Sequence, residues 1–91
     1  MKYAVEFSQR ALKALKKLDK PTAATLYAWI KKNLDGTENP RAHGKALSGA
    51  GAFAGLWRYR VGDYRMIAEI SDKKITIVIL EIGHRSGIYD C

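Results

Sequence analysis

Six residues in the last third of the chain are equipped to handle a phosphate: Arg58, Arg60, Arg65, His84, Arg85 and Tyr89. Guanidinium groups grip phosphate oxygens through paired N–H donors. An imidazole, with a reference pKa of about 6.5, moves protons near neutral pH. A tyrosine either passes a proton or stacks on an unpaired base. Together these groups fit the cleavage of an RNA phosphodiester, in which the ribose 2′-OH is itself the nucleophile. The protein then has only to hold the phosphate in line, neutralise its developing charge and assist proton movement.

Other chemistries lack their parts. His43 and His84 stand far apart and Cys91 is the lone thiol, too few for a convergent metal-ligand set. Ser86 lies near His84 but has neither a nucleophile elbow nor an orienting acid. The acids are scattered and fall mostly at turns or caps, so paired catalytic carboxylates are not expected. Gly44-Lys45 lacks the spaced glycine before it, where Asn39 stands, and the Ser/Thr after it that a phosphate loop requires.

The elements that position the arginines can be read from alternation. Leu56 to Val61 and Tyr64 to Ile70 flank Gly62-Asp63, a two-residue hairpin turn. Closing it sets Val61 opposite Tyr64, Arg60 opposite Arg65 and Tyr59 opposite Met66. Side chains alternate along a strand, so Trp57, Tyr59, Val61, Tyr64, Met66, Ala68 and Ile70 share one face. Arg58, Arg60 and Arg65 share the other with Leu56 and Ile67. A second turn at Asp72-Lys73 predicts Ile70 opposite Ile75, Ala68 opposite Ile77 and Met66 opposite Ile79. That register carries Val78, Leu80 and Ile82 onto the arginine face, with His84 following.

Like charges placed opposite each other across strands cost a few tenths to about 1 kcal/mol. A polyanion bound to that face would relieve the repulsion. The alternative is that long arginine side chains splay into water while their stems cover apolar sheet. Both readings stand at this stage.

The rest of the chain supplies the scaffold. Tyr3, Val5 and Phe7 alternate with polar or small residues and predict a short first strand. Ser8 is placed to cap a helix whose Ala11, Leu12, Leu15 and Leu18 recur at helical spacing. Asp19-Lys20-Pro21 ends that helix and opens another, with a buried stripe of Ala23, Leu26, Tyr27, Ile30 and Leu34. Residues 37–55 read as irregular. The expected fold is α+β: a short N-terminal strand, two amphipathic helices, then a three-stranded antiparallel meander completing one sheet (β-α-α-β-β-β). The helices are expected to cover the apolar face and leave the arginine face open or partly covered.

Composition narrows the partners. Sixteen Lys and Arg against nine Asp and Glu give a formal charge of +7 in 91 residues. So large an excess favours nucleic acid, an anionic membrane or an acidic protein. The longest apolar run, Ile75 to Leu80, is far short of a membrane span. The start of the chain has no apolar run of signal-peptide length, and the lone Cys91 forms no disulfide framework. A cytoplasmic protein is expected.

Three blocks carry a resemblance: Leu47-Ser48-Gly49, the run Leu56 to Arg65, and Ile82-Gly83-His84-Arg85-Ser86-Gly87-Ile88-Tyr89. With the two-helix start, they make the whole chain resemble the RelE branch of the RelE/ParE superfamily of type II toxins. The resemblance implies one RelE-like toxin domain over residues 1–91. It also implies a metal-independent endoribonuclease, using no cofactor, that cuts mRNA in the ribosomal A site and so blocks translation. The implied partners are mRNA, the ribosome and a cognate RelB-like antitoxin with an acidic segment that wraps the toxin.

By position, the resemblance makes Arg65 a phosphate contact and Arg85 the group that stabilises the transition state. Tyr89 takes the place of the catalytic or stacking tyrosine. Arg58 falls where RelE carries a catalytic lysine, and Leu56 replaces a second lysine there. His84 or Tyr89 is left to move protons, while Arg60 and Lys45 are assigned to RNA contact. Two other readings remain open: a ParE-like inhibitor of DNA gyrase that acts by binding, and a non-catalytic RNA-binding module.

Overall fold

The computed structural model describes residues 2–47 and 55–84. Strand β1 (Ala4–Phe7) leads into helix α1 (Gln9–Lys17) and helix α2 (Lys20–Asn33). A two-residue strand β2 (Lys45–Ala46) precedes β3 (Trp57–Val61), β4 (Tyr64–Ser71) and β5 (Thr76–His84). The expected order is observed, with β2 as an addition inside the stretch read as irregular. The strands form one sheet in the order β1-β5-β4-β3-β2. The meander is antiparallel, but β1 runs parallel to β5, so the sheet is mixed.

Local chemistry explains both helix starts. The Ser8 hydroxyl accepts the Ala11 amide at 3.0 Å, which satisfies one orphan donor of α1. The same hydroxyl donates to the Leu80 carbonyl at 2.8 Å, pinning the helix start to β5. Asp19 caps α2 by accepting the Thr22 amide at 3.3 Å and the Thr22 hydroxyl at 2.8 Å. These bonds, the hydroxyl first, hold the Asp19 carboxyl below its ordinary range. Pro21 sits in the first turn, where a missing N–H costs nothing.

The core lies between the helices and one sheet face. Ala11 and Leu15 of α1 and Leu26, Ile30 and Leu34 around α2 meet Tyr59, Val61, Met66, Ala68, Ile77, Ile79 and Ile82. Burying each large apolar side chain contributes about 1.5–3 kcal/mol. Two expected members of the apolar stripes are exposed instead: Leu12 of α1, at 38%, and Tyr27 of α2, at 46%. Trp29 instead packs against the core cluster from α2. Among the described residues no helix is long and apolar enough to cross a membrane.

The first hairpin has the expected register, with Arg60 opposite Arg65 and Tyr59 opposite Met66. The second does not. Residues 72–75 all belong to the turn, so Ile70 pairs with Ile77 rather than Ile75, and Ala68 with Ile79. Ile75 takes φ +52°, uncommon for a β-branched residue, and its carbonyl accepts the Ala4 amide at 3.0 Å. A β-bulge then leaves Leu80 without a partner in the β4 ladder, because Ile67 pairs with Glu81 while Ala68 pairs with Ile79. The bulge lies where Ser8 bonds the carbonyls of Ile79 and Leu80.

This extra residue inverts the faces of the strand that follows. Ile82, expected beside the arginines, is buried in the core. Gly83 takes the place opposite Arg65, and His84 pairs with Tyr64. His84 is therefore on the helix-covered side of the sheet, not the arginine side. Its ring lies edge-on to Tyr64 with centroids 5.5 Å apart.

Candidate nucleic-acid interface

The sheet face turned away from the helical core is built in rows. One row crosses Lys45, Arg58, Ile67 and Glu81 on β2, β3, β4 and β5; the next crosses Arg60, Arg65 and Gly83. Directly paired residues hold their Cβ atoms about 4.5–5.5 Å apart. Four cations thus occupy adjoining positions at one end of the face. Arg58 and Arg65 are half-buried, while Arg60 and Lys45 are exposed. The Nε of Arg65 is itself buried. Ile67, in the midst of the cations, is fully buried. Gly83, opposite Arg65, contributes no side chain to the row.

Three acids lie on this face among the described residues. Glu81 is paired with Arg10 of α1 at 3.2 Å. Glu69 stands opposite Val78 and Glu6 lies beyond it on β1, both toward the other end. Among the described residues the cations of the face therefore gather on β2, β3 and the start of β4.

At the β3 edge a cleft of about 390 Å³ opens, lined by Trp29, His43, Gly44, Lys45, Arg58 and Arg60. The turn through residues 39–44 forms its wall and is tied down on several sides. Arg41 donates to both carboxylate oxygens of Asp72 at 3.1 Å, and the Tyr3 hydroxyl donates to Asp72 at 2.6 Å. Those two contacts, Arg41 first, hold the Asp72 carboxyl below the usual range. The Tyr59 hydroxyl donates to the Pro40 carbonyl at 2.6 Å, and Trp57 Nε1 donates to the His43 carbonyl at 2.7 Å. Burial of Tyr59 pushes its pKa up to about 12. Gly44 has φ +79°, and a Cβ there would collide with the Arg58 carbonyl oxygen and Trp57 Nε1, so only glycine lets the loop lie so close to β3.

Of the residues singled out from sequence, Lys45, Arg58 and Arg60 share this cleft, and Arg65 lies next to Arg60 on β4. His84 is on the other face. Arg85 and Tyr89 lie outside the described residues. Trp29 and His43 were not anticipated as partners of the arginines. Their rings meet edge-on at 5.6 Å, and Trp29 also contacts Tyr59 at 5.8 Å. The only local signal was an aromatic residue one step off the apolar stripe of α2.

Comparison with known proteins decides the family. A family model, the ParE toxin of type II toxin–antitoxin systems (parDE), matches residues 5–89. This chain belongs to the RelE/ParE toxin family. The toxin is 34% identical to toxin RelG of Mycobacterium tuberculosis over 89 residues, spanning 98% of each chain. It is 29% identical to the mRNA interferase toxin RelE of Escherichia coli, covering 98% of this chain and 92% of that one. Among solved structures, it superposes on the RelBE2 toxin–antitoxin complex of M. tuberculosis with a TM-score of 0.81 at 31% identity, over 94% of both chains. The archaeal RelE–RelB complex of Pyrococcus horikoshii gives 0.70 at 30% identity, over 98% of this toxin and 100% of that chain.

Proposed function

We propose that this toxin is an endoribonuclease that cleaves mRNA in the ribosomal A site. One observation carries the reading: Lys45, Arg58, Arg60 and Arg65 stand in two adjoining rows on the sheet face opposite the helical core of a RelE/ParE fold. The relative named as an mRNA interferase supports the same substrate class.

In the proposed reaction the ribose 2′-oxygen attacks the adjacent phosphorus, forming the O2′–P bond as the P–O5′ bond breaks. The products are a 2′,3′-cyclic phosphate and a 5′-hydroxyl. One proton leaves the 2′-OH and another reaches O5′. Arg65, half-buried on β4, holds a non-bridging phosphate oxygen. Arg58 shares the charge that develops in the transition state, and the same role is assigned to Arg85 by the resemblance to the RelE branch. An arginine stays protonated at neutral pH, so neither Arg58 nor Arg65 serves as the base. Tyr89 is the proposed proton-transfer or stacking group. His84 faces Tyr64 on the other side of the sheet, and proton transfer in this reading does not pass through it.

The proposed inhibitor is a cognate RelB-like antitoxin whose acidic segment covers the cations. The relatives solved as RelE–RelB complexes support this pairing. The test is to incubate purified toxin with programmed ribosomes and with naked mRNA, and to map new 5′ ends by primer extension. New ends on ribosome-bound message, lost with Arg85→Ala, are expected. A second reading follows from the ParE description of the matching family. Growth arrest with DNA breaks and intact message would replace the ribonuclease with a gyrase poison.

A further inference from the structure

The cleft at the β3 edge has two unlike walls. One is cationic, from Lys45, Arg58 and Arg60; the other is aromatic, from half-buried Trp29 and exposed His43. Its volume of about 390 Å³ falls within the range of small-ligand sites, about 300–1,000 Å³. Gly44 lies between the walls, where any side chain would collide with β3. The loop that carries His43 and Gly44 is held by the Arg41–Asp72 and Tyr59–Pro40 contacts, so the cleft is preformed.

A planar ring joined to an anion is what these walls match. Unpaired bases stack on aromatic side chains, while cations alongside track the phosphates. An acidic peptide would satisfy the cations and leave the rings unused.

We propose that the Trp29–His43 cleft is a nucleotide subsite: one unpaired base of an RNA strand rests against His43 and Trp29, and Lys45 with Arg60 holds the phosphate attached to it. The proposal rests on the RNA-cleaving reading and deepens it. It places a neighbour of the scissile nucleotide at the edge of the sheet, next to the row of Arg60 and Arg65. Recognition of that neighbour is by stacking, so it tolerates any base.

The test uses purified toxin and a short fluorescent RNA bearing 2′-O-methyl groups, which binds but cannot be cut by its own 2′-oxygen. Its affinity is followed by anisotropy. Replacing His43, an exposed residue, is not expected to disturb the fold. Affinity should fall about tenfold in His43→Ala and recover in His43→Phe, because stacking needs a ring and not a proton. Trp29→Leu should weaken binding in the same way. A single abasic nucleotide, walked along the strand, should weaken wild type at one position and have no further effect there in His43→Ala. Lys45→Gln should reduce the slope of log affinity against log salt by about one.

Equal affinity of wild type and His43→Ala overturns the subsite, as does an abasic penalty of the same size in both. Failure of wild type to bind the strand also overturns it. The two readings separate cleanly in the ribosome assay. Message cleavage with no effect of His43→Ala on strand binding removes the subsite and leaves the ribonuclease. Absence of cleavage with abasic-sensitive, His43-dependent binding removes the ribonuclease and leaves a nucleotide-binding cleft.

Discussion

On the helix-covered face of the sheet, Tyr59, Met66, Ala68, Ile77 and Ile79 are fully buried against α1 and α2. On the opposite face, Arg60 is paired with Arg65 and Lys45 with Arg58, an arrangement that opposes folding by a few tenths to about 1 kcal/mol for each directly opposed pair. The first face stabilises the molecule, and that surplus lets the second face hold like charges together. Stability and proposed function thus occupy opposite sides of the same strands. Alternate residues of one β3 segment serve both: Tyr59 anchors the core while Arg58 and Arg60 line the cleft.

That separation can be tested by breaking each side in turn. The largest effect is expected from Leu26→Ala, which opens a cavity in the core and should cost about 2–5 kcal/mol in urea denaturation. Loss of activity would follow only from unfolding. Arg65→Ala should do the reverse. Cleavage on programmed ribosomes should fall about 100-fold or more, while the urea midpoint should move much less than in Leu26→Ala. An Arg65→Ala variant that unfolds and stays fully active per folded molecule would abolish the division of labour.

Tyr59 provides a pH handle on the buried face. Its pKa is raised from 10.0 to about 12 because burial disfavours the phenolate. Below pH 10 both folded and unfolded chains keep the proton, and the contribution is fully present. As pH rises toward 12 the unfolded chain ionises first, so about 2–3 kcal/mol of stability should be lost. Denaturation at pH 9 and pH 11.5 should show this increment in wild type and not in Tyr59→Phe. The smallest effect is expected from His84→Ala. With the imidazole against Tyr64 on the far side from the arginines, cleavage should change less than about threefold. A hundredfold loss would bring His84 across to the phosphate and sharpen the assignment of the base.

Much of this division is legible in the order of residues. Ser8 and Asp19 announce the helix starts because a side-chain oxygen must satisfy the first free amides. The alternation around Gly62-Asp63 sets Arg60 against Arg65, since a two-residue turn allows one pairing. The length of the second turn is not written so plainly. Ser71-Asp72-Lys73-Lys74 offers several places to reverse the chain, and the choice depends on Ile75 meeting β1 through Ala4.

The α+β order, the two helix caps and the clustering of arginines on one sheet face can be read from the order of residues, because each follows from contacts between near neighbours or across a tight turn. Tertiary structure alone decided the rest. It placed the bulge at Leu80, where Ser8 bonds the carbonyls of Ile79 and Leu80, and so sent Ile82 into the core and turned His84 away from the arginines. It also brought Trp29 from α2 and His43 from the following loop to the edge where Arg58 and Arg60 stand. A one-residue slip reverses every side chain after it, and residues distant along the chain meet only once the sheet is packed; neither has a local signal.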